Sequence, residues 1–117
     1  MKREPWIDDL IDSLAKLADL GLQTRAWITG EHRDFFPDAA ELACRVFDDE
    51  AIVNMVKAGA SVFSPEIDET FRRLDVATDS CDLYDDPLRL LRDPNWLRAV
   101  ELSALALKLL TELDWQD

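Results

Sequence analysis

Few side chains in this sequence are suited to acid-base or nucleophilic chemistry. The only histidine, His32, lies between Glu31 and Arg33, with no serine or cysteine near it in the sequence. Histidine is the commonest general acid or base, and a serine or cysteine nucleophile usually needs such a group beside it. The sequence also lacks the glycine-rich phosphate-binding motifs and the Gly-x-Ser-x-Gly motif of hydrolases. We therefore do not expect an enzyme.

Carboxylates are the other source of chemistry, because hard metal ions need only oxygen ligands. Four of them fall within eight residues: Asp79, Asp82, Asp85 and Asp86. A calcium loop of the EF-hand type alternates its ligands and has a glycine at its sixth position, and this stretch has neither feature. One histidine and two distant cysteines are too few for a zinc or di-iron site. We expect no metal and no cofactor, with a carboxylate-metal enzyme as an alternative.

The same four aspartates favour a contact surface for a basic protein partner. The chain has 25 acidic and 13 basic residues and a net charge of −12, which would repel a phosphate backbone, so we expect no direct nucleic-acid binding. Aromatic and guanidinium groups, which are enriched at interface hot spots, supply further candidates. These are Arg25, Trp27, Phe35 and Phe36. Phe35 and Phe36 could equally close one end of the core.

The elements that position these residues are predicted to be helices. A chain of 117 residues suits one domain with a core of its own. Its three glycines are too few for the tight turns of a many-stranded sheet. Three places pair a capping residue with a first-turn proline: Ser64–Pro65, Asp86–Pro87 and Asp93–Pro94. The sequence therefore predicts an all-α, single-domain bundle over residues 1–117, with five to six helices around a long C-terminal helix.

Apolar residues that recur every three to four positions locate the individual helices. The first covers residues 5–20 and ends at Gly21, and residues 22–29 could add two turns. Residues 38–58 form one helix or two, and two with a bend are favoured. The helix that starts at Pro65 is predicted to direct its charged side chains outward, and residues 75–86 are predicted to be a loop. The side chains of this helix that are predicted to face outward are Asp68, Glu69, Arg72 and Arg73.

The last helix, predicted over residues 94–114, is the most apolar. Its charged residues fall on one narrow stripe: Arg98, Glu101, Lys108 and Glu112. Because most of the remaining surface is apolar, we expect neighbouring helices to cover this helix on most sides. Leu105 is the one leucine within the stripe. The longest apolar run of this last helix is too short for a membrane span, so we expect no membrane insertion.

The two cysteines, Cys44 and Cys81, are far apart, and the N-terminus has no signal-peptide pattern, so we expect a cytoplasmic, reduced protein. Cys44 is predicted to be a small buried side chain. For function, the acidity and the lack of a catalytic set favour a protein-binding module of the inhibitor, immunity or antitoxin type. The alternatives are a subunit or assembly factor of a larger complex or homo-oligomer, and a nucleic-acid mimic.

Overall fold

Helices make up the regular structure of residues 2–31 and 36–115, the parts of the chain that the computed structural model describes. These two ranges contain no β-strand and seven helices. The helices are α1 (Pro5–Leu17), α2 (Leu20–Trp27), α3 (Ala39–Val46), α4 (Glu50–Ala58), α5 (Pro65–Asp79), α6 (Pro87–Leu90) and α7 (Pro94–Glu112). The predicted all-α bundle with a long C-terminal helix is confirmed, but the described residues form seven helices and not the predicted five to six, because α2 is a separate helix with its own cap. His32 and Phe35 lie outside the described residues.

Side-chain caps explain where most of these helices begin. In α2 to α7 the residue before the helix accepts a hydrogen bond from a backbone N–H of the first turn. Five of these six caps are aspartates, and the sixth is a serine: Asp19, Asp38, Asp49, Ser64, Asp86 and Asp93. Each satisfies a backbone donor that would otherwise have no partner in the helix. Part of the acidity of this chain is therefore accounted for by capping.

The boundaries of the first four helices correct one prediction and confirm another. Gly21 does not end the first helix, because Asp19 accepts the N–H of Leu22 and starts α2 at Leu20. Residues 38–58 form two helices, as favoured from the sequence, because Asp49 caps α4 separately. The helix α4 ends at Gly59, whose φ of 72° lies in the left-handed region that glycine tolerates best.

The helix α5 is longer than predicted, and one of its acids points inward. The predicted loop 75–86 was wrong over its first five residues, since α5 continues to Asp79. Asp68, predicted to face outward, is only 2% exposed and accepts the backbone N–H groups of Val62 and Phe63, each at 3.0 Å. These two donors lie in the irregular connector before α5, where no helix bonds them. The Asp68 carboxylate supplies the acceptor that they need.

The helix α7 packs mainly against α5 and α1, whereas α3 packs on α1 and α4 packs on α5. The prediction that neighbouring helices pack against this apolar helix is confirmed, and they cover the part of its surface away from the charged stripe. Its buried residues are Trp96, Ala99, Leu102, Ser103, Ala106 and Leu110. The four residues of the charged stripe are exposed, as predicted, and Leu105 is 41% exposed. Neither α7 nor any other helix in the described ranges has the length and apolarity that a membrane crossing needs.

Leu110 and Leu105 give a matched test of this arrangement. Leu110 is fully buried, so Leu110→Ala should lower the free energy of unfolding by about 2–5 kcal/mol through lost burial and a cavity. Leu105→Ala removes the same atoms from a site that is 41% exposed and should cost less than about 1 kcal/mol. Urea unfolding of both variants measures the difference. Equal losses would mean that the charged side of α7 is itself covered.

Candidate functional site

Two of the contact residues predicted from the sequence, Trp27 and Asp85, lie in one surface groove. The groove has a volume of about 230 Å³ and is formed by the end of α2, the start of α3, and the segment that leads into α6. We call it the tryptophan groove. Its lining residues are Trp27, Asp38, Ala39, Leu83, Tyr84, Asp85, Pro87 and Leu90.

A buried glutamine, Gln23, fixes the tryptophan against which the groove residue Trp27 packs. The Gln23 side-chain amide donates hydrogen bonds to the carbonyl oxygens of Lys16 (3.0 Å) and Leu17 (2.8 Å) at the end of α1. Its Oε1 accepts a hydrogen bond from Nε1 of Trp96 in α7, at 3.0 Å. Gln23 and Trp96 are both fully buried. One carboxamide therefore joins three helices and uses both its donors and its acceptor.

Trp27 rests on this buried network. Its ring packs against Trp96 and against Phe36, with centroid distances of 5.9 Å in both cases. Its Nε1 donates a hydrogen bond to the carbonyl oxygen of Pro37, at 3.0 Å. Offset and tilted aromatic pairs at this distance are favourable. The Trp27 ring is thus fixed by α7 on one side and by the segment before α3 on the other, and Phe36 acts as a packing partner, not as a groove residue.

Two acidic side chains also line the groove, namely Asp38, which is exposed, and Asp85, which is partly buried. Asp38 accepts the N–H of Glu41 through Oδ1, and Asp85 accepts the N–H of Asp86 through Oδ1. The nearest cation to Asp85 in the described part of the chain is Arg89, whose Nη1 lies 4.0 Å away. Tyr84, beside Asp85, is 88% exposed. Two carboxylates and an exposed phenol ring therefore line the groove together with apolar side chains.

The other predicted contact residues lie elsewhere. Arg25 is on the opposite side of α2 from Trp27, because two residues along a helix turn the side chain by about 200°. Asp82 accepts the N–H of Tyr84, and Asp86 caps α6, so these two acids shape the segment that presents Tyr84. Asp79 is the last residue of α5 and does not line the groove. Phe35 falls outside the described residues.

Three residues that form or support the groove were not predicted from the sequence. Tyr84 was a usable signal, since it is the only tyrosine and is followed by two acids in a polar stretch. Asp38 was noticed only as the start of a helix. Gln23 gave no signal, because a glutamine in an amphipathic helix is ordinarily solvated. The sequence also did not reveal a second acidic concavity, between α1 and the turn after α3, lined by Asp9, Asp12, Ser13, Arg45 and Asp48.

Metal-binding and nucleophilic groups are not assembled in the described part of the chain. Within it, no three histidine, cysteine or acidic side chains are placed to hold one metal ion. Cys44 is exposed and not buried as predicted, because it lies on the side of α3 opposite its apolar residues. Cys81 donates a hydrogen bond to the carbonyl oxygen of Ala77, and burial, with a smaller effect of the Asp93 charge, raises its pKa to about 11. A thiol with that pKa is a poor nucleophile at neutral pH.

No protein-family model, curated protein or solved structure matches this chain. The function has to be inferred from the chemistry of its surface.

Asp75 allows a test of the electrostatics around the acidic end of α5. Burial raises its pKa above the ordinary 3.8, the Asp79 charge raises it further, and Lys57 opposes the rise. The folded state therefore favours the neutral acid, and native stability falls as pH rises from 3.8 through the raised pKa. We expect Asp75→Asn to raise Tm by a few degrees at neutral pH and to leave it unchanged at about pH 3.

Glu101→Gln is the control, because it removes one negative charge from the solvated stripe of α7. Thermal unfolding followed by circular dichroism at several pH values gives both comparisons. If Asp75→Asn changed Tm no more than Glu101→Gln at every pH, Asp75 would not have a raised pKa.

Proposed function

We propose that this chain is a small acidic protein-binding module, of the inhibitor, immunity or antitoxin type, which docks on a basic partner through the tryptophan groove. The observation that carries the proposal is the combination of aromatic rings and carboxylates at one place. Trp27 and Tyr84 border the same groove as Asp38 and Asp85. Aromatic faces and carboxylates both attract a guanidinium or ammonium group.

The size of the groove favours a single side chain as its occupant. At about 230 Å³ it is smaller than the roughly 300–1,000 Å³ of most small-molecule pockets. An arginine or lysine of the partner could lay its apolar stem along Leu83, Pro87 and Leu90, which line the groove. Its charged end would then meet Asp38 and Asp85. Arginine is among the residues that most often act as interface hot spots.

Exposed apolar side chains are found beside this groove. Among the described residues, five large hydrophobic side chains are exposed: Ile28, Val76, Tyr84, Leu88 and Leu105. Two of them, Tyr84 and Leu88, belong to the short segment that forms one wall, whereas α7 contributes only Leu105. This distribution favours docking at the groove over self-association through α7. A typical interface has a desolvated anchor surrounded by a polar rim, and Tyr84 is placed to extend such an anchor.

The net charge would assist the encounter with a basic partner. At −12, the protein produces a long-range field that steers cations toward it and increases the association rate. This effect is screened beyond about 8–10 Å at physiological ionic strength, so it should weaken as salt is added. With its two cysteines free, the chain suits a reducing compartment, and we propose a cytoplasmic location.

The test is binding to the basic proteins encoded beside this gene, measured by calorimetry at two salt concentrations. We expect one of them to bind more weakly at high salt. Tyr84→Ala, and separately the pair Asp38→Asn with Asp85→Asn, should each raise Kd by about tenfold or more, as hot-spot changes do. Asparagine caps helices as well as aspartate does, so the amide variants should remain folded.

The pair Asp9→Asn with Asp12→Asn is the matched control, since it removes two charges from the other acidic concavity. It should raise Kd only slightly, because it weakens long-range steering and removes no contact in the groove. The proposal fails if none of the neighbouring basic proteins binds, or if the control pair weakens binding as much as the groove pair.

A further inference from the structure

The sign of the surface charge reverses in one cleft. The cleft lies between α5 and the first turns of α7 and has a volume of about 370 Å³. We call it the arginine cleft. Its lining residues are Glu69, Arg72, Arg73, Val76, Ala77, Ser80, Asn95 and Arg98. Three guanidinium groups face one carboxylate here, on a protein whose net charge is −12.

One of the three arginines has a structural role. Arg72 donates hydrogen bonds to the carbonyl oxygens of Met55 (Nε, 3.2 Å) and Ala60 (Nη2, 3.4 Å), which lie at the end of α4 and just after it. Its Nη1 is 3.6 Å from Oε2 of Glu69. Most of its donors are therefore directed at the protein itself. Arg72 holds the end of α4 against α5 and so forms a fixed wall of the cleft.

The other two arginines are available to a ligand. Arg73 lies 3.4 Å from Oε1 of Glu69 through Nε, and its side chain is 59% exposed. Exposed helix pairs of this kind are weak, and here a single Glu69 is shared with Arg72. Arg98 projects from α7 and makes no ion pair within the described part of the chain. The cleft thus has positive charge that these residues do not neutralise.

The space between Arg73 and Arg98 is partly apolar. Val76 is 65% exposed there, and Ala77 lies beside it. Asn95 lies at one end of the cleft, where its Nδ2 donates a hydrogen bond to the carbonyl oxygen of Ser80, at 3.4 Å. The volume of about 370 Å³ falls within the range of small-molecule pockets, unlike that of the tryptophan groove.

We propose that the arginine cleft binds a small anionic ligand that carries a carboxylate or phosphate group. Arg73 and Arg98 would bind its oxygens, and its apolar part would lie over Val76. Guanidinium groups are suited to this because their planar, fixed donors match the geometry of both oxyanions. The inference is independent of the proposed function, since the two sites select ligands of opposite charge.

The charge of the whole protein favours a small ligand over an acidic macromolecule. A polyanion would extend beyond the cleft and meet the acidic remainder of the surface, where like charges repel. A small anion held in the cleft is within the Debye length, about 8–10 Å, of the arginines, while most other charges lie farther away and are screened. Attraction to the arginines therefore outweighs repulsion by the net negative charge only for an anion that fits inside the cleft.

The test uses inorganic phosphate and citrate as probes, titrated separately into the folded protein and followed by amide shifts in ¹H–¹⁵N NMR spectra. Sodium chloride keeps the ionic strength constant. We expect saturable shifts of the Val76, Ala77, Ser80 and Asn95 amides with at least one probe. The probe with the lower Kd identifies the preferred oxyanion. Arg73→Gln and Arg98→Gln should each raise that Kd roughly tenfold, as the loss of a charge-assisted hydrogen bond does.

Lys108→Gln is the control, since it removes one positive charge from the same exposed stripe of α7, about 15 Å along the helix from Arg98. It should leave Kd nearly unchanged. The same spectra show whether each variant is folded. The proposal is overturned if neither probe shifts the cleft amides, if chloride alone shifts them equally, or if Lys108→Gln weakens binding as much as Arg98→Gln.

Discussion

The Gln23 carboxamide satisfies three polar groups where α1, α2 and α7 meet. It donates to the carbonyl oxygens of Lys16 and Leu17, and it accepts the indole N–H of Trp96. Leaving a buried donor or acceptor without a partner costs about 1–3 kcal/mol. The position of the fully buried Trp96 therefore depends on Gln23. Because Trp27 packs on Trp96, the aromatic wall of the tryptophan groove depends on the same contact.

Aspartates have two distinct roles in this chain. Five of them cap helices, and Asp68 binds two backbone N–H groups from a buried position. Asp38 and Asp85 each accept a backbone hydrogen bond from a residue nearby in the sequence, and both also line the groove. Their local bonds fix the carboxylates before any partner arrives, which reduces the entropy lost on binding. One of the two groove carboxylates, Asp38, therefore also makes the capping contact that starts α3.

The fold class was predictable, because it rests on local signals. Cap-plus-proline pairs placed the starts of α5, α6 and α7, and the acids before Glu50 indicated a break between α3 and α4. Helical periodicity did not locate the buried polar groups. Asp68 and Gln23 are buried because each binds a backbone group that has no other partner in the described part of the chain. Those backbone groups belong to other segments of the chain, so the spacing of apolar residues within one helix does not reveal them. Trp27 and Asp85 were each predicted as contact residues, but the sequence did not indicate that they lie in the same groove. The arginine cleft could not be predicted either, because it forms only where α5 and α7 are adjacent.

A double-mutant cycle with Gln23→Leu and Trp96→Phe tests most directly whether the Gln23 contact holds α7 and the groove in place. Each single variant leaves a buried polar group without its partner, whereas the double variant removes both groups. We expect each single change to lower the free energy of unfolding, and the double change to lower it by at least about 1 kcal/mol less than the sum. Additive losses, within about 0.5 kcal/mol, would contradict this account, because Gln23 and Trp96 would then stabilise the fold independently.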